Sequence, residues 1–277
     1  MKQDYTFKIG GEAGQGLQTI GLVLARSLAR QGMHIFTNED YFSRVRGGHN
    51  FSQIRAASFP LWSYKDELDV LIALDKKSIE QHSNEVCSGG VIIYDSEKVK
   101  IEEEPPNSLA LPLSKIGKEH GGKSVMGNTA ALGAVWQLIE GDFQSLEETL
   151  QNLFAGKGED IVNSNIKVAR GGAAYARDNF QGDCRCKLMK LSSPQRLLLN
   201  GNEAASLGAM AAGCQFISAY PMTPASGVFV NMSKETNRLP LLFEQAEDEI
   251  AAIHMALGAA YTGVRSMVAT SGGGLAL

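Results

Sequence analysis

The stretch Ser218-Ala219-Tyr220-Pro221-Met222-Thr223-Pro224-Ala225-Ser226 decides how the chain is read. The apolar run Phe216–Ala219 stops at two prolines. Proline removes an N–H donor and fixes φ, so residues 220–224 form a rigid loop and not more strand. Pro224 suits the first position of the next helix. Two more stretches repeat this design. Gln245-Ala246-Glu247-Asp248-Glu249 follows Leu241-Leu242-Phe243 and opens a helical pattern to about Thr262, and Thr270-Ser271-Gly272-Gly273-Gly274 follows the apolar run 266–269. The first and last of these runs, 216–219 and 266–269, read as buried parallel strands. Ligands of open α/β sheets sit outside the carboxyl ends of the strands, so the three loops are expected to line one site. Thr223 is held firmly by its prolines, and its hydroxyl either faces a ligand or caps a helix. The acids 247–249 fit the first turn of a helix.

The front of the chain has a second strand-end loop. Residues 5–9 alternate as a strand and run into Gly10-Gly11-Glu12-Ala13-Gly14-Gln15-Gly16. A helical face of Leu17, Ile20, Leu24 and Leu28 follows, ended by Gly32, with a second strand at 33–36. In this βαβ unit the glycines Gly11, Gly14 and Gly16 either let backbone N–H groups face a phosphate or only close a turn. Their spacing departs from the dinucleotide fingerprint, although Asn38-Glu39-Asp40 stands where a ribose partner would. Residues 39–50 (EDYFSRVRGGHN) are a polar loop. Arg44 and Arg46 there suit an anion or a partner surface, the alternative being a solvated hairpin. His49 has no second ligand at metal spacing and reads as structural.

Further strands are expected at 70–74, 91–94 and 109–113, with helices from Lys76, over 128–139, 146–154 and 159–176. The small residues of 128–139 suit close packing on the sheet. The polar stretch 178–195 reads as a connection, and Glu203 opens another helix, where the macrodipole favours an acid. Alternating strands and helices give an α/β fold: a Rossmann-like domain with a mainly parallel sheet over 1–180, a linker at 181–194 and a second α/β domain over 195–277.

Composition removes several classes. With 277 residues, 44% hydrophobic, 20% charged and net charge -4, the chain has sizeable cores and no basic footprint for nucleic acid. No apolar run nears the roughly 18 residues of a membrane span, and the N-terminus lacks a signal-peptide core. A cytoplasmic chain is expected. The four cysteines, Cys87, Cys184, Cys186 and Cys214, show no disulfide or zinc spacing and read as reduced thiols; Cys184 and Cys186, which alone cluster, cannot supply the four thiolates an iron–sulfur cluster usually takes.

Tyr-Pro-Met-Thr-Pro, Gln-Ala-Glu-Asp-Glu and Thr-Ser-Gly-Gly-Gly together resemble the pyrimidine-binding domain of thiamine-diphosphate-dependent 2-oxoacid:ferredoxin oxidoreductases. The chain is most similar to the alpha subunit of the 2-oxoglutarate type, with a gamma domain fused in front; residues 10–16 and 41–50 extend the likeness. One departure is Gly273, where many members have proline. Another is Leu277, where the family continues, so the chain is expected to be the front of a longer polypeptide. The resemblance implies CoA-dependent oxidative decarboxylation of a 2-oxoacid, with electrons passed to ferredoxin. It gives Glu247 the role of contacting the aminopyrimidine ring and assisting proton transfer, a one-residue shift pointing to Asp248 instead. Thr223 would meet substrate or cofactor, with Tyr220, Pro221, Thr270, Ser271 and Gly272 around the cofactor. Gly11, Gly14, Gly16, Arg44 and Arg46 become candidates for coenzyme A or an interface. A beta subunit would hold the diphosphate, Mg2+ and an iron–sulfur cluster, leaving this chain inactive alone. Two rivals stay open: a nucleotide-dependent oxidoreductase using the glycine loop, and a non-catalytic assembly subunit.

Overall fold

In the computed structural model, which describes residues 3–40, 47–189, 191–192 and 196–277, the chain divides into the units Met1–Arg196 and Leu197–Leu277. Arg44 and Arg46 lie outside the described residues. The first unit is built on β1 (Asp4–Ala13), with Phe7 and Ile9 fully buried. There follow α1 (Leu17–Arg30), β2 (His34–Asp40), β3 (Gly47–Ala57), β4 (Leu68–Ala73), α2 (Lys76–His82), β5 (Val86–Asp95), β6 (Ser108–Leu111), α3 (Leu113–Gly121), α4 (Gly127–Leu138), α5 (Phe143–Phe154) and α6 (Glu159–Asn179). The sheet order is β2-β3-β1-β4-β5-β6. Strands β1, β4, β5 and β6 pair in parallel, while β3 is antiparallel to β1 and β2. The sheet is mainly parallel, as expected. The strand β3 is new: its buried Asn50, Ser52 and Gln53 hide the apolar pattern that would announce it.

Strand alternation sets the two faces. Phe7 and Ile9 pair with Ile54 and Ser52, and Gly21 of α1 comes against Ser52 and Ile54. Lys8 and Gly10 point the other way, to His82 and Ser78 of α2. Helices α1 and α2 therefore cover opposite faces, and the connections leaving β1 and β4 diverge between those strands. That divergence is the switch point where open α/β sheets take ligands.

The small residues of α4 meet α6. A Cβ at Gly133 would strike the Ala169 carbonyl, and one at Gly172 the Ala130 carbonyl. Backbone cannot step aside as a side chain can, so Gly172→Val is expected to cost at least about 1–3 kcal/mol, read as a lowered denaturation midpoint. The stretch read as a connection is strapped to the first unit in its described part. Asp183 N–H donates to Asn107 Oδ1 (3.1 Å), Arg185 Nε to Asp69 Oδ1 (2.6 Å), Leu188 N–H to the Ile139 carbonyl (2.7 Å) and Leu191 N–H to the Gln31 carbonyl (3.0 Å). Cys184 and Cys186 are buried there, their sulfurs 3.0 Å apart.

The second unit runs α7 (Gly201–Ala211), β7 (Phe216–Ala219), α8 (Ser226–Ser233), β8 (Leu242–Gln245), α9 (Glu249–Tyr261), β9 (Ser266–Val268) and a helical turn, Gly273–Ala276. Its parallel sheet has the order β8-β7-β9, and Ile217, Phe229, Met232 and Leu241 form its core. The helix α7 starts in a reciprocal capping box between Asn200 and Glu203, more than the dipole effect expected of Glu203. Two expectations need correction. Of the run read as a buried strand at 266–269, Ser266–Val268 are only half-buried, β9 being an edge strand; β8, at the other edge, is exposed at all four residues. Pro224 does not begin α8; its peptide with Thr223 is cis, and Ala225 is the N-cap. Among the described residues no helix is long and apolar enough to cross a membrane.

Candidate cofactor and anion sites

In the second unit, three carboxyl-terminal strand ends carry the residues singled out from sequence. Ala246 N–H donates to the Ala219 carbonyl at 3.0 Å, the last link between β8 and β7. Glu247 therefore lies one residue beyond that link, as Tyr220 does beyond Ala219. The loop after β9 is tied to the loop after β7: Ser271 Oγ donates to the Thr223 carbonyl at 2.9 Å and stands 3.5 Å from that of Met222. Thr223 itself is exposed and caps no helix. Tyr220 is 38% exposed, so its ring is available beside this loop.

The three acids separate by what they touch. Asp248 is the N-cap of α9, its Oδ1 accepting from Ala251 N–H at 2.7 Å. Glu249 turns toward Gly274, where a Cβ would lie 2.8 Å from its Cγ. Glu247 is exposed and makes no hydrogen bond or ion pair among the described residues. Glu249 also has no hydrogen bond or ion pair among the described residues, but it is half-buried, so Glu247 is the exposed one of the two. Sequence reading gave Thr270 no individual role, yet its hydroxyl is buried without a partner among the described residues. Gly272 has φ 53°, a left-handed conformation that glycine tolerates. Gly273 opens the following helical turn with open space where a Cβ would stand. Proline at that position is compatible with such a start.

In the first unit, the glycine loop is shorter than the sequence suggests. β1 continues through Gly11 to Ala13, leaving the turn to Gly14 and Gly16, with φ 88° and 76°. Gly11 is buried inside β1, against Leu74 and Leu17, and so is removed from any ligand-facing position. Gly16 is the N-cap of α1 and supplies no side-chain oxygen, so side chains do not cap the first-turn N–H groups. Gly14 and Gly16 line two clefts. One, of about 350 Å³, also has Glu39, Asp40 and Asn50 on its walls. The other, of about 550 Å³, brings in Lys98, Lys123, Lys157 and Asn128. Sequence reading missed these lysines because they come from three separate segments. Among the described residues no group of three His, Cys, Asp or Glu side chains is placed to hold a metal ion.

Comparison with known proteins gives two family matches. Residues 6–175 match the model described as pyruvate ferredoxin/flavodoxin oxidoreductase. Residues 207–277 match pyruvate flavodoxin/ferredoxin oxidoreductase, thiamine diphosphate-binding. A subunit alpha of 2-oxoacid:ferredoxin oxidoreductase 2 from Aeropyrum pernix is 24% identical over 99% of this chain and 52% of its own length. The structure of 2-oxoglutarate:ferredoxin oxidoreductase from Magnetococcus marinus, with 2-oxoglutarate, coenzyme A and succinyl-CoA bound, aligns over 100% of this chain and 49% of that one. Its TM-score is 0.88 at 32% identity. A keto/oxoacid ferredoxin oxidoreductase gamma subunit from Geobacter sulfurreducens shares the fold over 63% of this chain and 97% of its own, at TM-score 0.55 and 24% identity. The chain spans about half the length of the curated relatives it matches over its whole extent.

Proposed function

We propose that this chain, which belongs to the pyruvate ferredoxin/flavodoxin oxidoreductase family, is the leading part of the alpha subunit of a 2-oxoacid:ferredoxin oxidoreductase. Residues 1–180 are the gamma-like domain, 181–194 the connection and 195–277 the first part of the pyrimidine-binding domain. A 2-oxoacid carboxylate, coenzyme A and two oxidised one-electron acceptors give acyl-CoA, carbon dioxide, two reduced acceptors and a proton. Support for 2-oxoglutarate as substrate comes from the Magnetococcus marinus enzyme, which aligns over the full length of this chain. Cytoplasmic location accords with this reading.

One observation carries it: Ser271 joins the β7 and β9 loops while the Glu247 carboxylate stays unengaged beside them. The residues fit a pyrimidine cofactor, since a free carboxylate and the orphaned Thr270 hydroxyl are both present. When bound, thiamine diphosphate supplies the electron sink for decarboxylation. Glu247 would hold the aminopyrimidine and exchange a proton at its carboxylate. Tyr220, Pro221 and Thr223 would wall the site from the β7 side, and Thr270, Ser271 and Gly272 from the β9 side. The partner beta subunit would hold the diphosphate, Mg2+ and the iron–sulfur cluster that feeds ferredoxin. The test is coenzyme-A-dependent viologen reduction by the complete protein with its natural partners, comparing 2-oxoglutarate, pyruvate and indolepyruvate. Absence of turnover with all three, in a complex that holds cofactor and cluster, overturns the reading.

For coenzyme A we favour the cleft of Gly14, Gly16, Lys98, Lys123 and Lys157, where three cations and uncapped helix N–H groups suit phosphates. Lys123→Glu is expected to weaken coenzyme A binding roughly tenfold, an effect fading at high salt, as expected of exposed charges. Calorimetric titration reads both. NADH binding in place of coenzyme A would favour the nucleotide reading, for which Glu39 and Asp40 face the neighbouring cleft.

A further inference from the structure

On the α2 face of the first sheet, four polar side chains gather around the Phe51 ring. Lys8 and His82 are buried, at 4% and 6% exposure. Lys8 Nζ pairs with Glu85 Oε2 and lies 4.6 Å from the Phe51 ring centroid. Glu85 Oε1 is 2.8 Å from His82 Nδ1, and His82 Nε2 is 2.7 Å from His49 Nε2. Lys8 Nζ also lies 3.4 Å from His82 Nδ1, but the Glu85 contact is much the shorter and a carboxylate only accepts, so the His82 proton is assigned to Nδ1. In the neutral ring its Nε2 is then an acceptor, and His49 donates from Nε2. His49 Nδ1 remains a lone-pair acceptor. It is buried and has no partner among the described residues.

This unfilled end lies at the switch point. A Cβ on Gly10 would stand 3.3 Å from His49 Cε1 and 2.5 Å from Ser78 Oγ. Gly10 pairs with Ala73, the last residue of β4. A second orphan is close at hand. Asp75 Oδ1 accepts from Ser78 N–H (2.8 Å) and Ser78 Oγ (2.6 Å), while Asp75 Oδ2 is buried without a partner among the described residues. Two buried acceptors around one glycine call for a donor. Alongside, Asp40, Gly48, Phe51, Lys77, Gln81 and the two histidines line a cleft of about 520 Å³.

We propose that Glu85, His82 and His49 form a one-proton relay that ends in this crevice and accepts a proton from an acidic O–H, N–H or S–H group. The proton bonds to His49 Nδ1, the His49 Nε2 proton crosses to His82 Nε2, and the donor is left as its conjugate base. Positive charge then rests on His82 beside the Glu85 carboxylate. No electron moves. Burial, with His82 and Lys8, holds His49 below the ordinary imidazole range; Asp75 and Asp40 oppose this. Lys77 and Glu80, on the cleft wall, add opposite charges. His49 is thus neutral, and a base, at neutral pH. The inference is independent of the cofactor reading, because it concerns the first unit and its test needs neither partner nor thiamine diphosphate.

The test is nitrogen-15 NMR of the 277-residue chain with labelled histidine. At neutral pH the relay requires His82 in the Nδ1–H tautomer and His49 in the Nε2–H tautomer. On acidification both rings should report one shared first protonation step. Glu85→Gln removes the anion behind the relay and should lower the proton affinity of that step by about tenfold or more. Should that variant not fold, His49→Gln gives the same information: the His82 Nε2 signal must move. An Nε2–H tautomer at His82, or two independent steps unmoved by either substitution, would overturn the relay.

Discussion

Glu247→Gln, in the complete protein with its partners, is expected to lower kcat for 2-oxoacid-dependent viologen reduction by about 10²-fold or more, the usual worth of a positioned general acid–base group. Glutamine keeps the size of the side chain and loses only the ability to exchange the proton. Nothing folds around that carboxylate among the described residues, so thermal stability should stay unchanged. The neighbouring acid gives the opposite pattern. Asp248→Ala removes the cap that receives Ala251 N–H and should cost about 1 kcal/mol of stability. Asp248→Asn should restore it, since asparagine caps nearly as well. Neither Asp248 change should touch the chemical step. Collapse of kcat in Asp248→Asn with full turnover in Glu247→Gln would move the role by one residue. Full activity in both would leave this chain as an assembly subunit.

This pair shows why the strand-end loops of the second unit are legible in the sequence. Tyr220–Pro224, Glu247–Glu249 and Thr270–Gly274 each lie at a strand end, where position along the chain fixes position in space. Local sequence also marked most helices. What escaped reading depends on residues far apart. β3 carries buried polar side chains, so its periodicity is disguised. The strap 183–191 looks like a linker because its partners, Asn107, Asp69, Ile139 and Gln31, lie in distant elements. His49 looks solitary in the sequence; its partner His82, with Lys8 and Glu85 behind it, is brought to it only by the sheet and α2. Glycine, finally, did not distinguish a phosphate loop from a strand: Gly11 lies inside β1 and Gly14 outside it.

The strap also yields the largest expected loss of stability. Asp69, the second residue of β4, is 2% exposed with both oxygens engaged. Oδ2 accepts from Thr6 N–H at 2.7 Å, and Oδ1 from Arg185 Nε at 2.6 Å. Asp69→Ala leaves a backbone donor of β1 without its carboxylate and Arg185 with only Glu67, 3.7 Å from Nη2, as counter-ion. It leaves no buried charge, because Arg185 is 41% exposed and regains water, so the cost is that of the orphaned N–H, about 1–3 kcal/mol. Stranding a buried charge costs about 3–5 kcal/mol and falls on the other change. Arg185→Ala does the reverse: it strands the buried carboxylate with one N–H donor and frees the strap from β4. The two changes share one contact, so the double variant should lose less stability than the two singles added together. Urea denaturation of the four proteins measures this coupling. Limited proteolysis separates it from a general loosening, because Arg185→Ala should expose the strap 183–191 to cleavage before the sheet. Additive losses with no new cleavage there would mean that the ion pair holds nothing in place.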